Sequence, residues 1–162
     1  MAGFAAPLRD MEFVFNELAG LGPILSLLGE DYSPELVSTV LEEAGKIAEG
    51  VIAPLNHSGD KQGAKLENGT VRVADGWQPA YDTLVEGNWL GLPFSTEYGG
   101  MGLPWLVNAA TSELWASANT AFALSTILTQ GATTPSSPAA PRSRRRHICP
   151  SWCRAPGPAP WC

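Results

Sequence analysis

The chain has 162 residues, 44% of them apolar, which suits one domain with a core or part of a larger protein. Its formal charge of −6 hides an asymmetry: five basic and sixteen acidic residues precede Gly131, a balance of −11, while five arginines and no acid follow it. No secretory leader and no apolar run of membrane-spanning length is visible, so a cytoplasmic setting without a membrane span is expected, and the sequons at Asn56 and Asn68 are coincidental.

Residues 7 to 19 read as a short helix with Leu8, Met11, Phe13, Val14 and Leu18 as its apolar residues, ended by Gly20 and Gly22-Pro23. Ile24 to Leu28 reads as one more helical turn. The strongest helix starts at Ser33, which can cap it. Pro34 suits the first helical position, and Glu35 suits the positive end of the dipole. One apolar stripe is Leu36, Val40, Ala44, Ile47 and Val51; a second is Val37, Leu41, Ala48, Ile52 and Leu55. Two adjacent stripes predict packing against more than one partner, with Glu42, Glu43, Lys46 and Glu49 facing water. Pro54 is expected to end this helix.

Asn56 to Gly76 is polar and turn-rich, and Asn68-Gly69 before Val71 and Val73 signals a small hairpin. Pro79 is expected to start a helix that turns Ala80, Tyr81, Leu84 and Val85 inward and stops near Gly87. The stretch from Leu84 to Pro104 is rich in glycine, yet carries Trp89, Leu90, Leu92, Phe94 and Tyr98. Glycine between large side chains implies a backbone that turns sharply while its neighbours pack. Gly99-Gly100-x-Gly102 has the look of a phosphate loop, but lacks its lysine and Ser/Thr and follows no strand of a βαβ unit, so it reads as a structural turn. Pro104 opens a helix carrying Leu106, Ala109, Ala110, Glu113, Leu114 and Trp115, which Ser117 or Asn119 breaks or caps. Asn119 to Gly131 is a last, nearly uncharged helix, expected to be buried all round. Residues 7 to 131 therefore read as all-helical.

Chemistry-bearing residues are sparse. His57 and His147 are the only histidines; His57 sits in a polar stretch and reads as solvated. No cysteine precedes Cys149, so the body holds no metal constellation. After Gly131 come seven of the fourteen prolines, the run Arg142 to Arg146, and Cys149, Cys153 and Cys162, whose spacing fits no common zinc pattern. That composition reads as a disordered tail. No nucleic-acid partner is expected; the alternative is a non-enzymatic helical interaction module whose basic tail acts as an electrostatic arm.

From Leu84 to Pro104 the chain resembles the acyl-CoA dehydrogenase family. Glu86, Gly87, Gly91 and Leu92, then Ser95, Glu97, Tyr98, Gly99, Gly100, Gly102, Leu103 and Pro104, match a segment of that family's N-terminal helical domain. Glu113, Ser117, Ala118 and Asn119, followed by the apolar run Ala121 to Leu128, match the next feature. Residues 6 to 18 resemble the N-terminal extension of a long bacterial subgroup. The resemblance covers about residues 5 to 132. It implies an extension at 1–32, the N-terminal helical domain of the acyl-CoA dehydrogenase fold at 33–131, and an unrelated tail at 132–162. Synonymous codons for that tail can be chosen so that another frame reads the family's continuation, including its Tyr-Leu-Pro-x-Leu segment, which implies an out-of-frame tail.

The resemblance implies an intact protein that oxidises an acyl-CoA thioester to the enoyl-CoA with FAD as cofactor and works as a homo-oligomer. The catalytic base and most of the flavin site belong to domains absent here, so no catalytic residue is carried over and no cofactor is expected to bind this chain alone. It further implies that the last helix lines the acyl-chain pocket, through Phe122, Thr126 and Gln130 at spacing i, i+4, i+8, with Ala123 beside them.

Overall fold

The computed structural model describes residues 3–27 and 32–133. Of the tail expected at 132–162, residues 134 onward, with the arginine run and cysteines, lie outside the described residues, while 132 and 133 belong to the last helix. The chain runs through seven helices among those described, with one small hairpin between the fourth and fifth. The all-helical expectation for the body is met.

Helix α1 (Leu8–Phe13) passes directly into a π-helical turn, Val14–Leu18. Together they occupy the stretch expected to be one helix. Met11 and Phe15 point into the core, whereas Phe13, Val14 and Leu18 are exposed. Helix α2 (Leu21–Ser26) starts earlier than expected, with Pro23 in its first turn, where a missing N–H costs nothing. The N-terminal arm is tied to the next helix by the Ala6 N–H, which donates to Glu49 Oε1 at 2.7 Å.

Helix α3 (Pro34–Ile47) begins as its sequence dictates: the Ser33 hydroxyl accepts from the Leu36 N–H at 3.2 Å, and Pro34 stands at the start. It continues through a π-helical turn, Ala48–Ile52. Val37, Leu41, Ala44, Ala48 and Ile52 form its buried face. Val40, Ile47 and Val51 flank that face half-buried, Leu36 is exposed, and the four charged residues face water as expected.

The helical run from Pro34 stops at Ile52, just before Pro54, as expected, but a new helix begins directly after the proline. The Ala53 N–H reaches back five residues to the Ala48 carbonyl, and helix α4 (Leu55–Gln62) follows at once. Pro54 sits at φ −59°, a helical value, and its missing N–H falls where one helix gives way to the next. His57 therefore stands exposed on a helix, not in a loop. Gly59 is why α4 can lie close to the body: a Cβ there would stand 2.5 Å from Trp77 Nε1.

Strands β1 (Lys65–Glu67) and β2 (Thr70–Arg72) pair antiparallel around Asn68-Gly69, both at positive φ (51° and 79°), the backbone of a tight hairpin turn. Helix α5 (Trp77–Glu86) starts two residues before Pro79, which lies in its first turn. Ala80, Tyr81 and Leu84 are buried as expected.

Helix α6 (Trp105–Ala118) is the central element, packing on α3, on the Ala48–Ile52 turn and on the last helix. Its Val107, Ala110, Leu114, Trp115 and Ala118 join the single core cluster. Helix α7 (Thr120–Thr133) turns back along α6. The break between them is made by Asn119, at φ −161° and ψ 95°, whose Oδ1 accepts from the Phe122 N–H at 3.1 Å. The expectation that α7 is buried all round is corrected: Phe122, Ala123 and Thr126 are buried, but Leu124 and Leu128 are each 53% exposed and Ile127 is 43% exposed. Only one side of α7 has a neighbour within the described residues.

Candidate functional site

Two places drew attention in the sequence: the glycine-rich stretch between α5 and α6, and the inner face of α7. A third, the cleft beside α4, comes from the structure.

The glycine-rich stretch is a compact bend. Two 3-10 turns, Trp89–Gly91 and Thr96–Tyr98, are joined by a further turn at residues 92–94 and closed on themselves. Five successive N–H groups are consumed inside the bend: Gly99 donates to Thr96 O, Gly100 to Ser95 O, Met101 to Gly91 O, Gly102 to Phe94 O and Leu103 to Leu92 O, all at 2.8–3.1 Å. A phosphate loop needs such groups free and convergent on its ligand. Here none of the five is free, and the structural reading of these glycines holds. Asn88 fastens the two ends, its Nδ2 donating to Gly99 O at 2.9 Å. Trp89 then meets Trp115 of α6 edge to face at 5.6 Å, and Phe94 meets Trp105 at 5.9 Å, so the bend is pinned to α6 by aromatic packing.

Phe122, Ala123, Thr126 and Gln130 do lie on one side of α7, and it is the side turned toward the rest of the domain. Phe122 is 1% exposed and meets the Trp77 ring edge to face at 5.6 Å. The buried Thr126 hydroxyl donates to Ala123 O in its own helix at 2.8 Å. Gln130 is engaged with α6 and with the bend: its Nε2 donates to Asn108 Oδ1 at 2.9 Å and to Leu90 O at 3.3 Å. Its Oε1 accepts in turn from Asn108 Nδ2 at 3.2 Å. Asn108, 6% exposed, was not singled out in the sequence, because a lone Asn inside a helix gives no signal until the helix facing it is known.

The cleft beside α4 has a volume of about 570 Å³ and is lined by Asn56, His57 and Asp60 of α4, Val73 and Ala74 after β2, Trp77 of α5 and Ala121 of α7. It holds no nucleophile beside a base and no convergent carboxylate pair. Among the described residues no group of three His, Cys, Asp or Glu could hold a metal ion, and no helix is long and apolar enough to cross a membrane. The two shifted titrating groups lie far from this cleft, on α3. Glu35 is held below the usual carboxylate value by its own backbone N–H and by the Ser33 hydroxyl, and Lys46 is raised by its hydrogen bond to Glu43.

No family model matches the chain. Over 132 residues it is 41% identical to the 3-methylmercaptopropionyl-CoA dehydrogenase of Ruegeria pomeroyi. That stretch is 80% of this chain but only 22% of the length of the relative. The sequence similarity and the helical body together relate the chain to the acyl-CoA dehydrogenases and are consistent with a fragment of one.

Proposed function

We propose that the chain is the N-terminal helical part of an FAD-dependent acyl-CoA dehydrogenase, and that it is inactive by itself. The observation that carries this reading is the match over 80% of the chain to 22% of a relative whose name is that of an acyl-CoA dehydrogenase. The whole enzyme would take an acyl-CoA thioester to its enoyl-CoA as a soluble homo-oligomer in the cytoplasm, with chemistry supplied by FAD. The described residues do not themselves fit a flavin: the one glycine-rich segment that could cradle its pyrophosphate has its N–H groups turned inward. The division into an extension at 1–32, a helical domain at 33–131 and an out-of-frame tail from 132 belongs to this proposal.

Phe122, Ala123, Thr126 and Gln130 are proposed as the α7 wall of an acyl-chain pocket in the whole enzyme. Their common face supports that assignment. Leu124, Ile127 and Leu128, exposed on the other side, support the view that further structure covers α7 in a longer protein.

The test has two steps. Sequencing the gene through codon 133 should reveal the family's continuation in another frame. Expressing the frame-restored product beside the 162-residue chain should then give a yellow, acyl-CoA-oxidising protein in the first case only. An alternative frame without family sequence sinks the out-of-frame tail; a stoichiometric yellow complex of the 162-residue chain sinks the inactive-fragment reading.

A further inference from the structure

Helix α7 poses a problem of rotation. It carries apolar side chains on both sides: Phe122 and Ala123 are buried, while Leu124, Ile127 and Leu128 are exposed. Burial of apolar area is non-directional. Turning α7 about its axis would exchange one apolar face for another and lose little. The apolar pattern of this helix therefore does not select the setting observed.

Polar groups do. At the far end of α7 from its Asn119 cap, Gln130 and Asn108 form a reciprocal amide pair, each donating to the other at 2.9 and 3.2 Å, and Gln130 also donates to Leu90 O. Asn108 is only 6% exposed, and Gln130 covers it from a half-buried position. Rotating α7 would separate the two amides and leave the Asn108 side chain buried without its partner, a cost of about 1–3 kcal/mol per unsatisfied group. A polar pair that allows one arrangement only is one means by which apolar helices acquire a unique register. We propose that the Asn108–Gln130 pair is the rotational lock of α7: it fixes which face α7 packs inward and which it presents outward, and through Leu90 it sets that helix against the glycine-rich bend. Asn108 is on this account a positioning residue for α7. The inference stands on these contacts and does not depend on the dehydrogenase reading.

The lock can be read by thiol accessibility in the full 162-residue chain with Cys149, Cys153 and Cys162 changed to serine. Leu128→Cys reports the outer face and Ala123→Cys the inner face. With the lock intact, the outer thiol should react far faster than the inner one. In the Asn108→Leu/Gln130→Leu background that rate ratio should fall by about tenfold or more, since roughly 1.4 kcal/mol of lost discrimination is tenfold. The exchanged pair Asn108→Gln/Gln130→Asn, which keeps two amides facing, should recover most of the ratio, and it separates loss of the lock from general loss of folding. An unchanged ratio in the double leucine variant overturns the proposal. So does an exchanged pair that loses the ratio as fully as the leucines do.

Discussion

Gly100 lies against the carbonyl of Phe94 at a spacing that admits no side chain: a Cβ on Gly100 would stand 2.2 Å from the Phe94 oxygen and 2.8 Å from its Cβ. Both contacts involve atoms that cannot swing aside, because Phe94 O accepts the Gly102 N–H and the Phe94 ring packs on Trp105. Gly100→Ala should therefore destabilise the chain by about 1–3 kcal/mol, the range for overpacking a fixed site. A denaturant midpoint equal to that of the parent would contradict this account of the bend.

The Asn119 cap can be tested apart from α7 packing. Asn119→Ala removes the acceptor of the Phe122 N–H and should cost about 1 kcal/mol. Amide exchange should accelerate in the first turn of α7 and remain unchanged in α3, which has its own cap at Ser33. Equal acceleration in both helices would point to global destabilisation instead.

The two faces of the α6–α7 layer predict opposite outcomes for similar substitutions. Leu114, fully buried on α6, should cost about 3 kcal/mol or more when cut to alanine, through lost transfer energy and the cavity left behind. Leu128→Gln, at a side chain 53% exposed, should leave the midpoint nearly unchanged while reducing self-association. Unfolding curves read the first effect, and light scattering against concentration reads the second. A Leu128→Gln variant that unfolds as readily as Leu114→Ala would show that the outer face is covered in this chain.

Glu35 gives a sign-definite pH test. Its folded-state pKa lies below the ordinary value of 4.5. Its contribution to stability is thus complete above that value and is lost as pH falls through the lower folded one. The stability gap between the parent and Glu35→Gln should be constant at neutral pH and close in acid below 4.5. A gap that widens on acidification would reverse the assignment. Lys46, raised by the exposed Glu43, sits in a solvent-screened pair, and breaking it should leave unfolding at neutral pH unchanged.

Local chemistry explains what could be read early. Ser33 and Pro34 mark the start of α3 because a cap and a first-turn proline act within four residues. Asn68-Gly69 specifies its turn because both residues tolerate positive φ. Pro54 marks the end of the helical run from Pro34, but gives no sign that another helix, α4, starts at the next residue. Its φ of −59° suits a helix start, and its missing N–H falls in the turn between Ile52 and Leu55. The four residues expected on one face of α7 share that face, but their neighbours Trp77, Asn108 and Leu90 are 22 to 45 positions away in the chain and carry no local signal.

The sequence by itself determined the all-helical class, the capped start of α3, the hairpin turn and the structural character of the glycine-rich stretch, because these rest on interactions between residues a few positions apart; it did not show α4, which lies in a stretch that reads as polar and turn-rich. Tertiary structure alone decided which side of α7 is covered. That helix carries apolar side chains on both sides, so its pattern leaves the rotation open, and the meeting of Gln130 with Asn108 and Leu90 closes it. Directional polar contacts between distant residues have no period in the sequence, and they appear only once the helices are packed.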